Sequence, residues 1–156
     1  MRALIKPAMA MTTAQKIDYV QSVVTTNIRW QSDTMLWKKH DYWASAAETL
    51  SAGAGDAEDR AILKLQALRS LGFGAHDLFL TMARDTIGGP ITVLTVRQGD
   101  HFLILPDTGR AFPARSRAFE FLPLISLGMG GAWLHSKPAR KPAAPAIMTA
   151  AAHKHK

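Results

Sequence analysis

Cysteine is absent from the 156 residues of this chain. Its absence excludes disulfide bonds, thiolate metal sites and a cysteine nucleophile. It leaves the redox compartment open, because a chain without cysteine suits an oxidising or a reducing environment. The sequence also lacks an apolar run long enough to span a membrane. Lys6 and Pro7 interrupt the apolar stretch near the start, so we expect no signal peptide in the chain as written.

Acidic residues are missing from the last part of the chain. All twelve acids lie at or before Glu120, whereas five bases and no acid follow His135: Lys137, Arg140, Lys141, Lys154 and Lys156. A short basic tail can bind nucleic acid or anionic lipid, but a solvated end explains the composition more simply. Residues 136–156 are rich in proline, alanine and lysine without periodicity, which predicts a disordered basic tail.

The rest of the composition is that of a globular domain. The chain is 47% hydrophobic and 20% charged, and its length allows one domain with a sizeable core. Apolar residues recur at helical spacing between residues 13 and 28, and Ser45 is placed to cap a short helix from Ala46 to Leu50. Residues 1–12 show no such pattern, which predicts a loose leader.

A glycine-rich turn, Gly53 to Asp59, leads into the helix around which the rest of the chain is organised. This helix is predicted from Arg60 to Leu71. Asp56 is a favourable N-cap, and Asp59 three residues later gives a capping-box-like pair. Backbone N–H groups and the positive end of the helix dipole converge here, where a thiol would be acidified. Because the residue at this place is Ala57, the chemistry of a thiol is absent.

From residue 77 onward the pattern changes to strand-like runs separated by glycine and proline turns. The predicted strands span 78–83, 91–96, 101–105, 119–127 and 132–134. Pro123 has no backbone donor, which predicts an edge position for its strand. Helices followed by an antiparallel meander indicate an α+β fold, with the central helix packed on the sheet and the domain spanning residues 13–135.

Several separated motifs follow one another in a specific order, of which the main ones are Arg29-Trp30, Asp41-Tyr42-Trp43-Ala44, Gly53-x-Gly55-Asp56-x-Glu58-Asp59, Leu68-Arg69-x-Leu71-Gly72 and Gly131-Ala132-Trp133-Leu134-His135. Over about residues 14–135 this order resembles the bacterial transglutaminase-like cysteine proteinases. The best-known type is a calcium-dependent periplasmic protease that releases a biofilm adhesin. The resemblance implies a papain-like, transglutaminase-like α+β fold with a Cys–His–Asp triad.

The resemblance also implies that two of the three triad positions have lost their function. The family cysteine falls on Ala57, and its histidine falls on Ile91, within one residue. Asp107 lies at or next to the position of the aspartate. Alanine and isoleucine have no titratable group, and acyl transfer needs an activated nucleophile beside a base. We therefore expect no peptidase or transglutaminase activity.

The acids of the glycine-rich turn are retained. The family uses these carboxylates to bind calcium, which points to Asp56, Glu58 and Asp59 as metal ligands in this chain. Ca²⁺ prefers several oxygen ligands from carboxylates and loop carbonyls. The alternative is that Asp56 and Asp59 only cap the helix while Glu58 faces water.

Three functions follow as hypotheses. The first is a catalytically inactive homologue that binds an extended peptide or a protein without cutting it. The second is a calcium-dependent cysteine protease of the same family in an inactivated form, with alanine in place of cysteine. The third is a binder of nucleic acid or a membrane surface through the basic tail, and the composition does not favour it. The family resemblance implies a periplasmic location, whereas the lack of a signal peptide implies a cytoplasmic one.

Overall fold

Helices occupy the first half of the chain in the computed structural model, which describes residues 1–85, 89–116 and 121–135. The five α-helices of this described part are α1 (Arg2–Ile5), α2 (Thr13–Asn27), α3 (Asp33–Leu36), α4 (Ala46–Ala52) and α5 (Ala57–Ser70). Short 3-10 turns follow α1 at Lys6–Ala8 and α5 at Ala75–Asp77. None of these helices has the length and apolar character that crossing a bilayer requires.

The second half of the chain forms an antiparallel sheet. Its strands are β3 (Leu78–Asp85), β4 (Gly89–Gln98), β5 (His101–Leu105), β6 (Phe112–Pro113), β7 (Phe121–Gly128) and β8 (Gly131–Leu134), in the spatial order β6-β5-β4-β3-β7-β8. Two further strands, β1 (Arg29–Trp30) and β2 (Ala54–Gly55), form a separate parallel pair. The predicted α+β class is therefore confirmed. The predicted tail, 136–156, lies outside the described residues.

Local capping explains where the longer helices begin. Thr12 accepts a hydrogen bond from the Gln15 backbone N–H, and the Gln15 side chain accepts one from Thr12 N–H. Ser45 and Glu48 form the same reciprocal pair at the start of α4. Each pair satisfies two backbone donors that the first helical turn leaves without partners.

Helices α2 and α5 pack on one face of the sheet and enclose the main core. Fully buried apolar residues from both helices meet those of β3, β4 and β5 there: Ile17, Val20, Val24, Leu63, Leu68, Leu78, Leu94, Val96 and Leu105. A smaller apolar cluster lies on the opposite face, around Ala83, Val93, Ile104 and Phe121. Alternation along β4 explains this division, because successive strand residues point to opposite faces.

The first twelve residues differ from the prediction of a loose leader. They fold into α1 and the following 3-10 turn, and Ile5 and Ala8 are buried in the main core. Tyr19 donates a hydrogen bond to the Leu4 carbonyl and fixes this segment on α2. The segment is too short to show a helical period, so tertiary burial determines its structure.

Pro123 does not lie on an edge strand, in contrast to the prediction. Its strand β7 is flanked by β3 and β8. The register with β3 shifts between Met82 and Ala83, which pair with Ile125 and Pro123. One extra residue on β7 therefore forms a bulge, and bulges are among the places in a sheet where proline is tolerated.

Candidate functional site

Helix α5 begins two residues after the end of the short strand β2, at Ala57. Asp56 is the N-cap and accepts a 3.3 Å hydrogen bond from the Asp59 backbone N–H. The Asp59 carboxylate does not complete the pair. Instead it accepts hydrogen bonds from the Ala44 backbone N–H at 2.7 Å and from Trp37 Nε1 at 3.5 Å. Asp56 therefore caps the helix as predicted, whereas the Asp59 side chain fixes the loop in front of it.

The parallel pairing of β1 with β2 brings a third acid to this place. Arg29 N–H donates to the Gly53 carbonyl and Gln31 N–H donates to the Gly55 carbonyl. Helix α3 starts at Asp33, two residues after Gln31. Asp33 therefore lies beside the start of α5, although it is more than twenty residues away in sequence.

Three carboxylates meet at the start of α5. Asp33, Asp56 and Asp59 each offer an oxygen atom, and these atoms all lie within 4.8 Å of one another. One oxygen of Asp33 accepts a hydrogen bond from the Tyr42 backbone N–H. The other, Oδ1, is buried and has no hydrogen-bond partner among the described residues. A buried acceptor without a partner is costly unless a donor or a cation completes the site.

The pKa values of the group reflect its crowding. Burial raises the pKa of Asp56 to about 7, and repulsion by Glu58 and Asp59 adds to the shift. Burial also raises the pKa of Asp59, although hydrogen bonds from Ala44 and Trp37 oppose the shift. Both shifts disfavour the charged carboxylates. A divalent cation at this place would reverse that preference, because it stabilises the ionised forms.

Glu58 lies close enough to repel Asp56, but it is not one of the three carboxylates that meet. Its Oε1 accepts a 2.8 Å hydrogen bond from Thr92 Oγ1 on β4. Of the predicted ligand set Asp56, Glu58 and Asp59, the structure therefore brings together the two aspartates, with Asp33 as the third member. Metal binding itself stays a prediction. Asp33 was missed because no local pattern marks it, and only the pairing of β1 with β2 places it here.

The residue at the start of α5 has no reactive partner on the neighbouring strand. Ala57 is partly exposed and carries only a methyl group. Ile91, the predicted position of the lost histidine, packs with the small cluster on the far face of the sheet. Its neighbour Thr92 points towards α5, as the hydrogen bond to Glu58 shows. The position that faces α5 is therefore a threonine, which is one residue from the prediction.

Asp107 is bound to helix α5 itself. Its Oδ1 forms a 2.8 Å ion pair with Arg60 Nη1. Arg60 is buried and also donates to the carbonyls of Thr25 and Ile28. Asp107 therefore neutralises a buried cation, which gives this acid a structural role in joining the turn after β5 to α5 and α2.

Two more side chains donate hydrogen bonds to the turn after β5, which contains Asp107. Lys64 Nζ donates to the Pro106 carbonyl, and Gln21 Nε2 donates to the carbonyls of Pro106 and Gly109. Lys64 is almost completely buried. Burial lowers the pKa of Lys64 to about 7, and the Asp107 charge only partly offsets this effect. Lys64 could not be predicted as a site residue from the sequence, because its spacing on α5 matches that of an apolar core position.

Two histidines of the sheet, His101 and His135, lie away from the start of α5. His101 opens β5 opposite Gln98, about 20 Å along β4 from Thr92 at the usual rise per residue. His135 Nε2 lies 2.8 Å from Ser126 Oγ. The Ser126 hydroxyl is hydrogen-bonded to the Thr81 hydroxyl, and the Thr81 hydroxyl is hydrogen-bonded to that of Thr95. This hydroxyl ladder crosses the face of the sheet opposite to α5. Neither imidazole is therefore placed to activate a group at residue 57.

The overall structure is similar to solved structures of LapG from Legionella pneumophila. The calcium-bound form gives a TM-score of 0.75 at 25% identity and covers 90% of this chain and 78% of LapG. An EGTA-treated form gives 0.74 at 26% identity, with coverages of 86% and 74%. A further LapG structure gives 0.73 at 26% identity, with coverages of 85% and 74%.

Comparison by sequence gives the family. No curated protein sequence matches this chain. The sequence model of the bacterial transglutaminase-like cysteine proteinases (BTLCP) matches residues 2–134, which is most of the chain and nearly all of its described part. This protein therefore belongs to the family of bacterial transglutaminase-like cysteine proteinases.

Proposed function

We propose that this chain is a calcium-binding member of the family that binds an extended peptide or protein without cleaving it. The observation that supports the loss of cleavage is the residue at the first position of α5. A thiolate at a helix N-terminus is a strong nucleophile, and Ala57 offers none. The chain contains no cysteine elsewhere that could substitute.

The surroundings of Ala57 support the same conclusion. A nucleophile of this class needs a base within hydrogen-bond distance, and the base needs a group that orients it. Thr92 stands on the strand that faces α5, and its hydroxyl is used by Glu58. Asp107, the acid of the predicted triad, is paired with Arg60. Ala57 is therefore inert, and Thr92 and Asp107 are both engaged by structural partners.

Calcium suits the carboxylate group of Asp33, Asp56 and Asp59. The three side chains supply only part of the six to eight oxygen ligands that Ca²⁺ takes, and backbone carbonyls and water commonly complete such sites. The partnerless Oδ1 of Asp33 is an acceptor that a cation would satisfy. Among the similar structures, LapG of Legionella pneumophila has been solved in a calcium-bound form and after EGTA treatment.

The surface beside the carboxylate group suits an extended peptide. Trp30 on β1, Met35 on α3 and Trp43 before α4 are exposed large apolar side chains. Strand β1 pairs with β2 along one edge, and both of its residues are exposed. An extended peptide can add to such an edge through main-chain hydrogen bonds while its side chains contact the neighbouring aromatic residues.

A binding experiment with an unfolded protein tests this proposal. The probe is a reduced, alkylated and fluorescently labelled protein, titrated with the chain in the presence of calcium. We expect saturable binding, intact probe by mass spectrometry, and binding at least fivefold weaker for Trp30→Ala. Phe102→Ala removes another exposed aromatic side chain, on the sheet (41% exposed, against 58% for Trp30), and is the control. Absence of binding, or an equal loss in both variants, contradicts the proposed peptide surface.

The second candidate is a calcium-dependent cysteine protease in inactivated form, with Ala57 replacing the nucleophile. The retained acids at the start of α5 favour this candidate. The two candidates differ in what Ala57→Cys does. The variant regains hydrolysis if only the nucleophile is missing, and it stays inactive if the base is missing as well.

A further inference from the structure

Strand β8 is an open edge of the sheet with no charge on it. Within residues 1–85, 89–116 and 121–135, β8 pairs with β7 alone. All four residues of β8 are exposed, and Leu134 is 82% exposed. The described sequence from Phe121 to His135 contains no Lys, Arg, Asp or Glu.

Natural sheets usually protect an exposed edge with charged side chains, with proline or by keeping the strand very short. The opposite edge of this sheet follows that rule, because β6 has only two residues and one of them is Pro113. Strand β8 has neither a charge nor a proline. The two edges of the same sheet are therefore unlike, and β8 is the one that the described part of the chain leaves available for pairing.

The register of β8 shows which backbone groups point outwards. His135 N–H donates to the Leu124 carbonyl at 2.9 Å, and Leu134 lies opposite Ile125. In an antiparallel pair, hydrogen-bonded and non-hydrogen-bonded pairs alternate. Residues 131, 133 and 135 therefore bond to β7, and the N–H and C=O groups of Ala132 and Leu134 point to the open side.

This pattern is complementary to itself. A second copy placed antiparallel, with the two-fold axis at Trp133, sets Ala132 opposite Leu134 of the other copy and Leu134 opposite Ala132. Both are then hydrogen-bonded pairs, which supply about four main-chain hydrogen bonds. Such an interface uses the same patch on both subunits, as closed two-fold dimers require.

The side chains fit the same arrangement. The two Trp133 residues face each other as a non-hydrogen-bonded pair, with Cα atoms about 4.5 Å apart. Each Trp133 ring also meets Phe79 of its own chain at 5.4 Å between centroids. Neither copy carries a charge on β7 or β8, so the pairing brings no like charges of these two strands together.

The small surface area that two paired copies would bury limits the strength of the β8–β8 contact. Trp133, Leu134 and Met129 are large apolar residues with much of their surface exposed, and each contributes on the order of 100 Å² per copy. With the main chain added, the total is roughly 800 to 1,000 Å², below the range of stable interfaces. We propose that this chain forms a weak two-fold dimer by antiparallel pairing of β8 with β8 of a second copy.

Sedimentation equilibrium of the full chain tests the proposal. We expect the average mass to rise from one chain towards two as the concentration increases from about 10 µM to 1 mM. Leu134→Pro removes an outward N–H but leaves the N–H groups that bond to β7, so it should shift dimerisation to at least tenfold higher concentration. Met9→Lys changes an exposed apolar residue elsewhere on the surface and should leave the mass profile unchanged. A monomer at every concentration overturns the proposal.

A disulfide test then locates the two-fold axis. Because the chain has no cysteine, Trp133→Cys introduces a single thiol at the axis, where the expected Cα separation permits a bridge between copies. Mild oxidation should convert this variant to a covalent dimer. Phe102→Cys carries its thiol on β5, four strands away, and should crosslink at least tenfold more slowly. Equal crosslinking of both variants overturns the proposed register.

Discussion

Asp107 Oδ1 accepts a 2.8 Å hydrogen bond from Arg60 Nη1. The carboxylate that the family resemblance assigns to a catalytic triad is therefore paired with a buried cation of α5. Arg60 joins this turn to the end of α2, because it also donates to the carbonyls of Thr25 and Ile28. The acid is retained in a position where it serves stability.

Asp107→Asn is expected to lower the free energy of unfolding by about 2 to 4 kcal/mol, since it leaves the Arg60 charge buried without its counter-ion. Asp77→Asn is the matched control, because the Asp77–Arg97 pair is exposed on both sides and such pairs contribute about 0 to 1 kcal/mol. Urea unfolding of both variants measures the difference. Equal effects would mean that Asp107 has no special structural role.

The stability of the chain should rise with pH because of Lys64. Burial lowers the folded-state pKa of Lys64 from 10.5 to about 7. Between these values the unfolded chain binds more protons, so the free energy of unfolding increases with pH by at most about 1.4 kcal/mol per unit. Below about pH 7 both states are protonated and the effect is constant.

Lys64→Met isolates this contribution, because methionine fills a similar volume without a titratable group. We expect the unfolding free energy of the native chain to rise relative to that of Lys64→Met as the pH increases from 7 to 9.5. Denaturant unfolding at both values gives that difference. A difference independent of pH would show that Lys64 stays protonated in the fold.

Calcium binding by variants distinguishes two candidate ligand sets, which share Asp56 and Asp59 and differ in whether Asp33 or Glu58 is the third ligand. If Asp33, Asp56 and Asp59 hold the ion, calcium at about 100 times its dissociation constant raises the melting temperature by roughly 5 to 10 °C. Asp33→Asn keeps an acceptor for the Tyr42 N–H but removes the charge, and should abolish most of the shift. Glu58→Gln keeps the acceptor for Thr92 and should preserve it. The opposite outcome would restore the set that contains Glu58.

Gly55 keeps the carboxylate group in place. A Cβ at this position would lie 2.7 Å from Asp59 Cβ and 2.9 Å from Asp59 Oδ2. Gly55→Ala should therefore displace Asp59, lower stability by about 1 to 3 kcal/mol and reduce the calcium-induced rise in melting temperature. Gly130→Ala meets only the Trp133 ring at 3.4 Å and is the control. A normal calcium response in Gly55→Ala would exclude Asp59 as a ligand.

Local patterns in the sequence predicted most of the fold. The helical period of α2, the Ser45 cap and the glycine and proline turns between the strands act over a few residues, so they can be predicted without the tertiary structure. The position of Pro123 on a strand inside the sheet could not be predicted, because a bulge in the pairing of β7 with β3 accommodates it. The first residues were misread since only contacts with α2 and the core order them.

The candidate site was predicted in part, for the same reason. Asp56 and Asp59 stand in a turn whose capping function is visible in the sequence. Asp33 joins them through the pairing of β1 with β2, two strands too short to give a pattern. The partners of Asp107 were also not predictable, because Arg60 and Lys64 occupy buried positions on α5 that the hydrophobic period assigns to apolar residues.

Hydrolysis by the Ala57→Cys variant tests the central claim most directly. The native chain and the variant are incubated with calcium and an unfolded, alkylated protein, and new peptide ends are counted by mass spectrometry. Because Thr92 and Ile91 stand where a base is needed, we expect neither protein to produce ends above the level of a heat-denatured sample. Calcium-dependent cleavage by Ala57→Cys alone would contradict the account and identify an intact protease site that lacks only its nucleophile.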